Sequence, residues 1–126
     1  MDGRTEVKAK LLADSTVVAS VGTYLTKPAI YGQFLVPPKY TGKAISMYNA
    51  VPTNGGLELS TYGVTVNCYA KKYSDVETIA EAVFDALNRH SGTNESFFVC
   101  SKLPVIPPNE TGEDYNSPVE VLVRKK

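Results

Sequence analysis

The pattern of apolar and polar positions is most regular between Ser60 and Gly92, where it predicts a strand followed by a helix. From Thr61 to Ala70 apolar and polar side chains alternate, which is typical of a strand with one face in the core. Apolar residues then recur at helical spacing and form one stripe, which consists of Val76, Ile79, Ala80, Val83, Phe84 and Leu87. The spacing therefore predicts a β-strand that leads directly into an amphipathic α-helix.

Both ends of this helix carry residues that are typical of helix boundaries. Ser74 is placed to act as N-cap, and Glu77, three residues later, completes a capping box. Such a cap typically contributes about 1 kcal/mol. His90 is expected in the last turn, where a cation interacts favourably with the helix dipole, and Gly92 can supply the left-handed residue that ends a helix. We therefore expect a helix from Asp75 to His90.

Weaker patterns place the other elements. The segment from Glu6 to Ala13 predicts a short helix with three residues facing inward, Val7, Leu11 and Leu12. Either Asp14 or Ser15 is expected to cap a second helical turn that ends at Gly22. Further strands are predicted at Ile30–Tyr31, Lys43–Val51, Phe97–Leu103 and Val119–Val123, and a turn at Pro52–Gly56 joins the second of these to the strand before the main helix.

The order of elements predicts an α+β fold of a single domain, residues 1–126. We expect a mostly antiparallel sheet with the long amphipathic helix packed on one face and a short N-terminal helical segment, because neighbouring strands can pair through hairpins. A chain of 126 residues can bury roughly two-thirds of its unfolded surface. No repeat or domain boundary interrupts the pattern.

Composition excludes several classes of function without selecting one. Basic and acidic residues balance at 13 each, so bulk charge gives no bias toward nucleic acid or an anionic membrane. No apolar run approaches the roughly 20 residues that span a bilayer, and the N-terminus lacks the apolar core of a secretion signal. For Cys68 and Cys100 we favour free buried thiols over a disulfide between neighbouring strands.

The chain offers no recognisable catalytic, cofactor or metal site. His90 is the only histidine, and with two distant cysteines it cannot supply the four ligands of a structural zinc site. Gly55 and Gly56 follow a strand, but they belong to no phosphate-binding motif. Three acids, Glu77, Glu81 and Asp85, share one face of the main helix, for which we favour a solvated surface over a contact with a basic partner.

The eight tyrosines admit two interpretations. Interleaved aromatic and basic residues can stack single-stranded nucleic acid, but few basic residues accompany these tyrosines. Tyrosine is also enriched at protein interfaces, where it buries apolar area and keeps its hydroxyl bonded. We favour interfaces or sheet packing.

Several phrases give the chain a resemblance to a known family. A "LLADSTVVASVG" segment is followed by "KPAIYGQFLVPPKY", then by "STYGVTVNCYA" and the helix "SDVETIAEAVFDALNRHSG", with two closing strands around an acidic loop. This order resembles the tail-completion or tail-terminator proteins of long-tailed bacteriophages. The resemblance covers about Leu11 to Val123 and rests on the order of elements, since no diagnostic motif is present.

The resemblance implies a structural virion protein of the neck, which caps the tail tube and meets the head–tail connector or a stopper protein. Members of the family are non-enzymatic and form hexameric rings with a DNA-sized channel, so the expected partners are further copies, the tube protein, the connector and DNA that passes without sequence-specific binding. It also implies a place in the virion after assembly in the host cytoplasm, with no membrane and no cofactor.

Two loops are the candidate interface sites, because loops carry binding while helices and strands carry packing. The candidate residues are Asn54, Gly55, Gly56, Pro107, Pro108, Glu110, Glu113 and Asp114. Acids in the second loop would repel DNA phosphates and so keep a channel from holding DNA. Three alternatives stay open: a head-closure or stopper protein of the same neck, a small nucleic-acid-binding module with tyrosine platforms, and, last, an enzyme that uses carboxylates alone.

Overall fold

A computed structural model describes residues 3–32, 42–50, 61–88, 90, 97–108 and 114–124. Its helices are α1 (Gly3–Leu12), α2 (Ser15–Ser20) and α3 (Tyr73–Leu87). Its strands are β1 (Thr23–Tyr24), β2 (Lys27–Pro28), β3 (Ile30–Tyr31), β4 (Ala44–Ala50), β5 (Thr61–Ala70), β6 (Phe97–Lys102) and β7 (Tyr115–Arg124).

The frame is a five-stranded sheet with the order β3-β4-β5-β7-β6. All of its pairs are antiparallel except β3 with β4, which is parallel. Strands β1 and β2 form a separate small hairpin. The α+β prediction with a mostly antiparallel sheet is therefore confirmed, including the short strand at Ile30–Tyr31 and the antiparallel pairing of β4 with β5.

The helices α1 and α3 lie on one face of the sheet, which we call the inner face. Helix α1 contacts β3, β4 and β5, whereas α3 contacts β5, β7 and β6, and α2 packs against both helices. The core between these layers includes the predicted stripe of α3 and alternate residues of the strands. Its largest fully buried side chains include Phe98, Leu11, Ile45, Met47 and Ile79.

The expected second helical turn is present as α2, and the structure selects its cap. The carboxylate of Asp14 accepts hydrogen bonds from the backbone N–H groups of Thr16 and Val17, both at 3.0 Å. This geometry satisfies two amides that a short helix leaves without partners. The inward position of Val7 and Leu11 is also confirmed, but that of Leu12 is wrong, because its side chain is 41% exposed.

The predicted capping box of α3 is wrong. The helix begins at Tyr73 with Lys72 as N-cap, and Lys72 makes no side-chain cap bond. Ser74 therefore lies inside the first turn, where its carbonyl accepts a hydrogen bond from the Thr78 hydroxyl at 2.9 Å. The ring of Tyr73 meets that of Tyr115 edge-on, with centroids 5.8 Å apart. This tertiary contact at the first helical residue accounts for the earlier start.

The predicted helix end is wrong as well. Helix α3 ends at Leu87, and the C-cap Asn88 has φ −61° and ψ 121°, which is extended backbone. His90 thus lies beyond the last turn and is exposed, while Gly92 lies outside the described residues. The side chain of Asn88 binds a strand of the sheet, as described below, and this contact explains why the chain leaves the helix there.

Strand β7 is longer than predicted because it continues through a proline. Pro118 occupies a strand between β5 and β6, a position in which proline is rare. Its carbonyl accepts a hydrogen bond from Leu103 N at 3.0 Å, so its backbone is directed toward β6. Because Leu103 follows the last residue of β6, the missing N–H of Pro118 falls where that ladder ends.

The preference for free thiols is confirmed, since Cys68 and Cys100 are unpaired and buried. Strand β7 lies between their two strands. Two strand spacings separate them by roughly 10 Å, which exceeds the reach of about 7 Å between bridged Cα atoms. Burial raises the pKa of both thiols, that of Cys100 to about 12, so neither is a reactive thiolate at neutral pH.

Candidate interface surfaces

The structure places only part of the two candidate loops. Asn54, Gly55, Gly56, Glu110 and Glu113 lie outside the described residues. In the second loop, Pro107 is exposed and Pro108 and Asp114 are half-buried. The structure therefore describes the two ends of this loop, at residues 108 and 114.

Those two ends are held close to the sheet. Ile106 and Asn116 exchange two backbone hydrogen bonds of 2.7 and 3.1 Å, which extend the pairing beyond the end of β6. Lys71 Nζ lies 3.0 Å from Asp114 Oδ1, as an ion pair without the alignment of a hydrogen bond. Asp114 is thus paired with a cation of its own chain, which distinguishes it from the role that we expected for the loop acids.

The edge strand β6 is blocked by residues that follow α3. Asn88 Oδ1 accepts a hydrogen bond from Cys100 N at 3.0 Å, and the carbonyl of His90 accepts one from Phe98 N at 3.1 Å. These two N–H groups alternate with the ones that face β7, so they point away from the sheet. An open edge would be a template for another strand. Here the outward-pointing N–H groups of Phe98 and Cys100 already have hydrogen-bond partners within the chain.

The outer face of the sheet, opposite the helices, carries an exposed apolar stripe. Strand register places Val99, Leu103 and Ile106 on this face along its β6 edge. Their exposed fractions are 37%, 37% and 52%. We call these three residues the outer apolar stripe, and exposed apolar groups of this kind mark candidate contact surfaces.

The centre of the same outer face is polar and buried. Ser46, Thr65 and Asn67 are at most 6% exposed, although alternation alone would direct them to solvent. The Ser46 hydroxyl donates to the Tyr69 hydroxyl at 3.4 Å. The outer face is therefore neither a second hydrophobic core nor an ordinary solvated surface.

The acids of α3 line a groove between this helix and α2. Glu77, Glu81 and Asp85 form its wall on α3, Thr16 and Ser20 form part of the wall on α2, and the volume is about 650 Å³. We call it the acidic groove. Lys102 Nζ, 2.5 Å from Glu81 Oε2, also lies 5.2 Å from the centroid of the Phe84 ring. The three acids are exposed, as the predicted solvated face requires, and they also border a concave surface.

A second groove of about 640 Å³ lies between α1 and β3. Arg4, Lys8, Tyr31 and Gly32 are among its lining residues, and we call it the basic groove. A methyl group on Gly32 would lie 3.4 Å from Lys8 Cδ, so the aliphatic stem of Lys8 packs over β3. Burial, and to a smaller degree Tyr24, raise the pKa of Tyr31, so the Tyr31 hydroxyl stays neutral. Sequence reasoning missed this groove, although Arg4 and Lys8 stand four residues apart, at the spacing of one helix face.

The β1–β2 hairpin exposes a further apolar side chain on a strained backbone. Leu25 and Thr26 have φ of 53° and 67°, the left-handed region that hairpin turns of two residues normally fill with asparagine and glycine. Leu25 is 76% exposed. The hairpin therefore presents an apolar side chain to solvent from a turn whose backbone is unfavourable for both of its residues.

The described part of the chain shows no group of three or more residues that could hold a metal ion. Within the same residues, no helix is both long enough and apolar enough to cross a membrane.

No protein-family model and no curated protein matches the sequence. Among solved structures, the fold is similar to a chain in the structure described as "Virion of native gene transfer agent (GTA) particle", with a TM-score of 0.68 and 16% sequence identity. The match covers 96% of this chain and 92% of that chain. The two chains therefore share one fold over nearly their whole lengths, with little sequence in common.

Proposed function

We propose that the chain is a structural virion protein that caps a phage-type tail tube and joins the tail to the head connector as a hexameric ring around the DNA channel. The observation that carries the proposal is the whole-length likeness to a chain of a gene transfer agent virion. The order of elements that resembles tail terminators supports the specific place at the neck. A role in the virion rests on the first observation, and the role of tail cap rests on the second.

A structural role agrees with the chemistry of the described residues. The two thiols are buried and protonated, because burial raises their pKa. The acids of α3 are exposed and lie along a surface groove, where Lys102 pairs with Glu81. The exposed apolar stripe and the grooves of opposite charge supply contact surfaces, which a protein of an assembled ring requires.

A tail cap and a stopper are expected to cause different defects in the particle when the protein is deleted. A tail cap ends the growth of the tube and offers the surface to which the head binds. Without it, filled heads should accumulate beside unjoined tails of irregular length. A head-closure protein retains packaged DNA, so its loss should leave tails of normal length and emptied heads.

The test combines the mass of the purified protein with the phenotype of its deletion. We expect a ring of six 13.7-kDa chains, about 82 kDa in total, by native mass spectrometry and negative-stain imaging. When the gene for this chain is deleted, we expect filled heads and unjoined tails. A protein that stays monomeric both alone and with the tube protein would contradict the proposal, and emptied heads with normal tails would favour the stopper.

The second candidate loop can be tested without damage to its anchors. Ile106 and Asn116 form a backbone bridge, and Asp114 pairs with Lys71, so the deletion should be confined to residues 109–113. Pro107, Pro108 and Asp114 then remain in the shortened connection. We expect an unfolding temperature close to that of the wild type and a loss of joined particles. Normal joining by this variant would exclude the loop from the contact.

A further inference from the structure

The acidic and basic grooves lie at different ends of the helical layer. Helix α1, which forms the basic groove, covers β3 and β4, where β3 is one edge of the sheet. Helix α3, which carries the acids, extends over β7 and β6 toward the opposite edge. The two grooves have similar volumes, about 640 and 650 Å³. One chain thus presents two concave surfaces of opposite charge on separate parts of the helical layer.

The acidic groove keeps negative charge that the described residues do not neutralise. Lys102 pairs with Glu81. Within the described ranges, Glu77 and Asp85 have no ion-pair partner, and both are exposed on α3. Asp85 lies near the end of the helix, where the dipole disfavours a negative charge unless a cation approaches. A cation that approaches Asp85 would therefore be stabilised there.

The basic groove presents a cation whose stem is already positioned. Lys8 packs its aliphatic stem against Gly32, and the structure gives it no ion pair in the described part of the chain. A lysine whose stem is partly confined by a neighbouring backbone loses less side-chain entropy when its ammonium group is bound. Arg4 lines the same groove.

We propose that these grooves form the contact between neighbouring copies of this chain, with Lys8 of one copy facing Asp85 of the next. Because each copy contributes a different surface, the contact is heterologous, and it can close into a ring by rotation. The inference rests on the proposed ring and names the surfaces that would hold it. A second copy suits the observations better than DNA, because the chain has no net charge and the acidic groove would repel phosphate.

Charge reversal tests the contact on the full-length protein. We expect Lys8→Glu and Asp85→Lys each to raise the concentration needed for half-assembly about tenfold or more, because one attraction becomes a repulsion at every interface. The double variant Lys8→Glu/Asp85→Lys restores opposite charges between copies and should recover most of the assembly. Wild-type assembly should also weaken as ionic strength rises from about 0.05 to 0.5 M, because salt screens exposed charges. Light scattering and native mass spectrometry give both measurements.

One variant matches the charge change outside both grooves. Lys72→Glu alters an exposed residue at the start of α3 that makes no cap bond and lines neither groove. It should assemble as the wild type does, and circular dichroism should show that all variants fold. Rings that form with equal strength in the wild type and both single variants would overturn this contact and leave the proposed ring intact. No assembly of the wild type, either alone or with the tube protein, would overturn both. Loss of DNA binding in Lys8→Glu with unchanged assembly would assign the basic groove to nucleic acid instead.

Discussion

The two faces of the five-stranded sheet follow different rules. On the inner face, alternate residues are aliphatic or aromatic and fully buried under α1 and α3, as Val66 and Phe98 illustrate. On the outer face, small polar residues such as Asn67 are buried, whereas the apolar residues Val99 and Ile106 are exposed. The inner face is what folding requires. The outer face carries buried polar residues and exposed apolar ones beside exposed polar ones, and its exposed apolar residues make it a candidate contact surface.

Strand β6 carries both patterns on adjacent residues. Phe98 points to the inner face and is the largest fully buried side chain, and Val99 points outward with 37% of its surface exposed. Both belong to the same edge strand, so backbone pairing is common to them. Their substitutions therefore compare the two faces without a change of position in the fold.

We expect Phe98→Ala to have the largest effect on stability. Loss of a buried aromatic side chain costs about 3–5 kcal/mol, through lost transfer free energy and the cavity that remains. Urea denaturation should show this loss, and Phe98→Leu should lose less because it fills more of the volume.

Val99→Ala is the matched control for this change. Its cost in unfolding free energy should stay below about 1 kcal/mol, because the side chain is partly exposed. If the outer apolar stripe contacts another chain, the same variant should weaken assembly more than it weakens folding. Equal losses of unfolding free energy at Phe98 and Val99 would contradict the distinction between the faces.

The residues of the inner face could be predicted from the sequence, because the buried positions there recur with the regular spacing of a strand or a helix. Alternation in β5 and helical spacing in α3 assign the inward residues correctly, since one buried face dominates the free energy of each element. The sequence also limited the α2 cap to Asp14 or Ser15, because cap bonds are local, and the structure selects Asp14. The whole-length likeness at 16% identity shows that chains with few residues in common can share this fold.

The remainder depends on contacts between residues that are distant in the chain. The predicted cap at Ser74 was wrong because Tyr73 packs against Tyr115, 42 positions later, and this contact moves the helix start. The helix end was wrong because Asn88 binds Cys100 of β6. The two grooves were not predicted either. Each lies between two elements, α1 and β3 or α2 and α3, and only the three-dimensional arrangement shows that these elements are neighbours. Local sequence rules contain no information about these partners.

The side chain of Asn88 covers part of the open edge of β6, the strand that contributes residues to both faces of the sheet. Removal of its acceptor in Asn88→Ala leaves the buried Cys100 N–H without a partner, which should cost about 1–2 kcal/mol of unfolding free energy. The variant should also self-associate more at high concentration, since one backbone donor of the β6 edge becomes free.

Asn88→Asp tests whether the acceptor itself is responsible. The carboxylate keeps an oxygen that can accept from Cys100 N, so only the unfavourable charge at the end of α3 remains, about 0.5 kcal/mol. Denaturation curves and light scattering should therefore place this variant close to the wild type and well apart from Asn88→Ala. If the two variants lose equal stability and associate equally, the Asn88 side chain does not protect the edge. In that case the hydrogen bond from Phe98 N to the His90 carbonyl would be the contact that keeps strands of other molecules from pairing with the β6 edge.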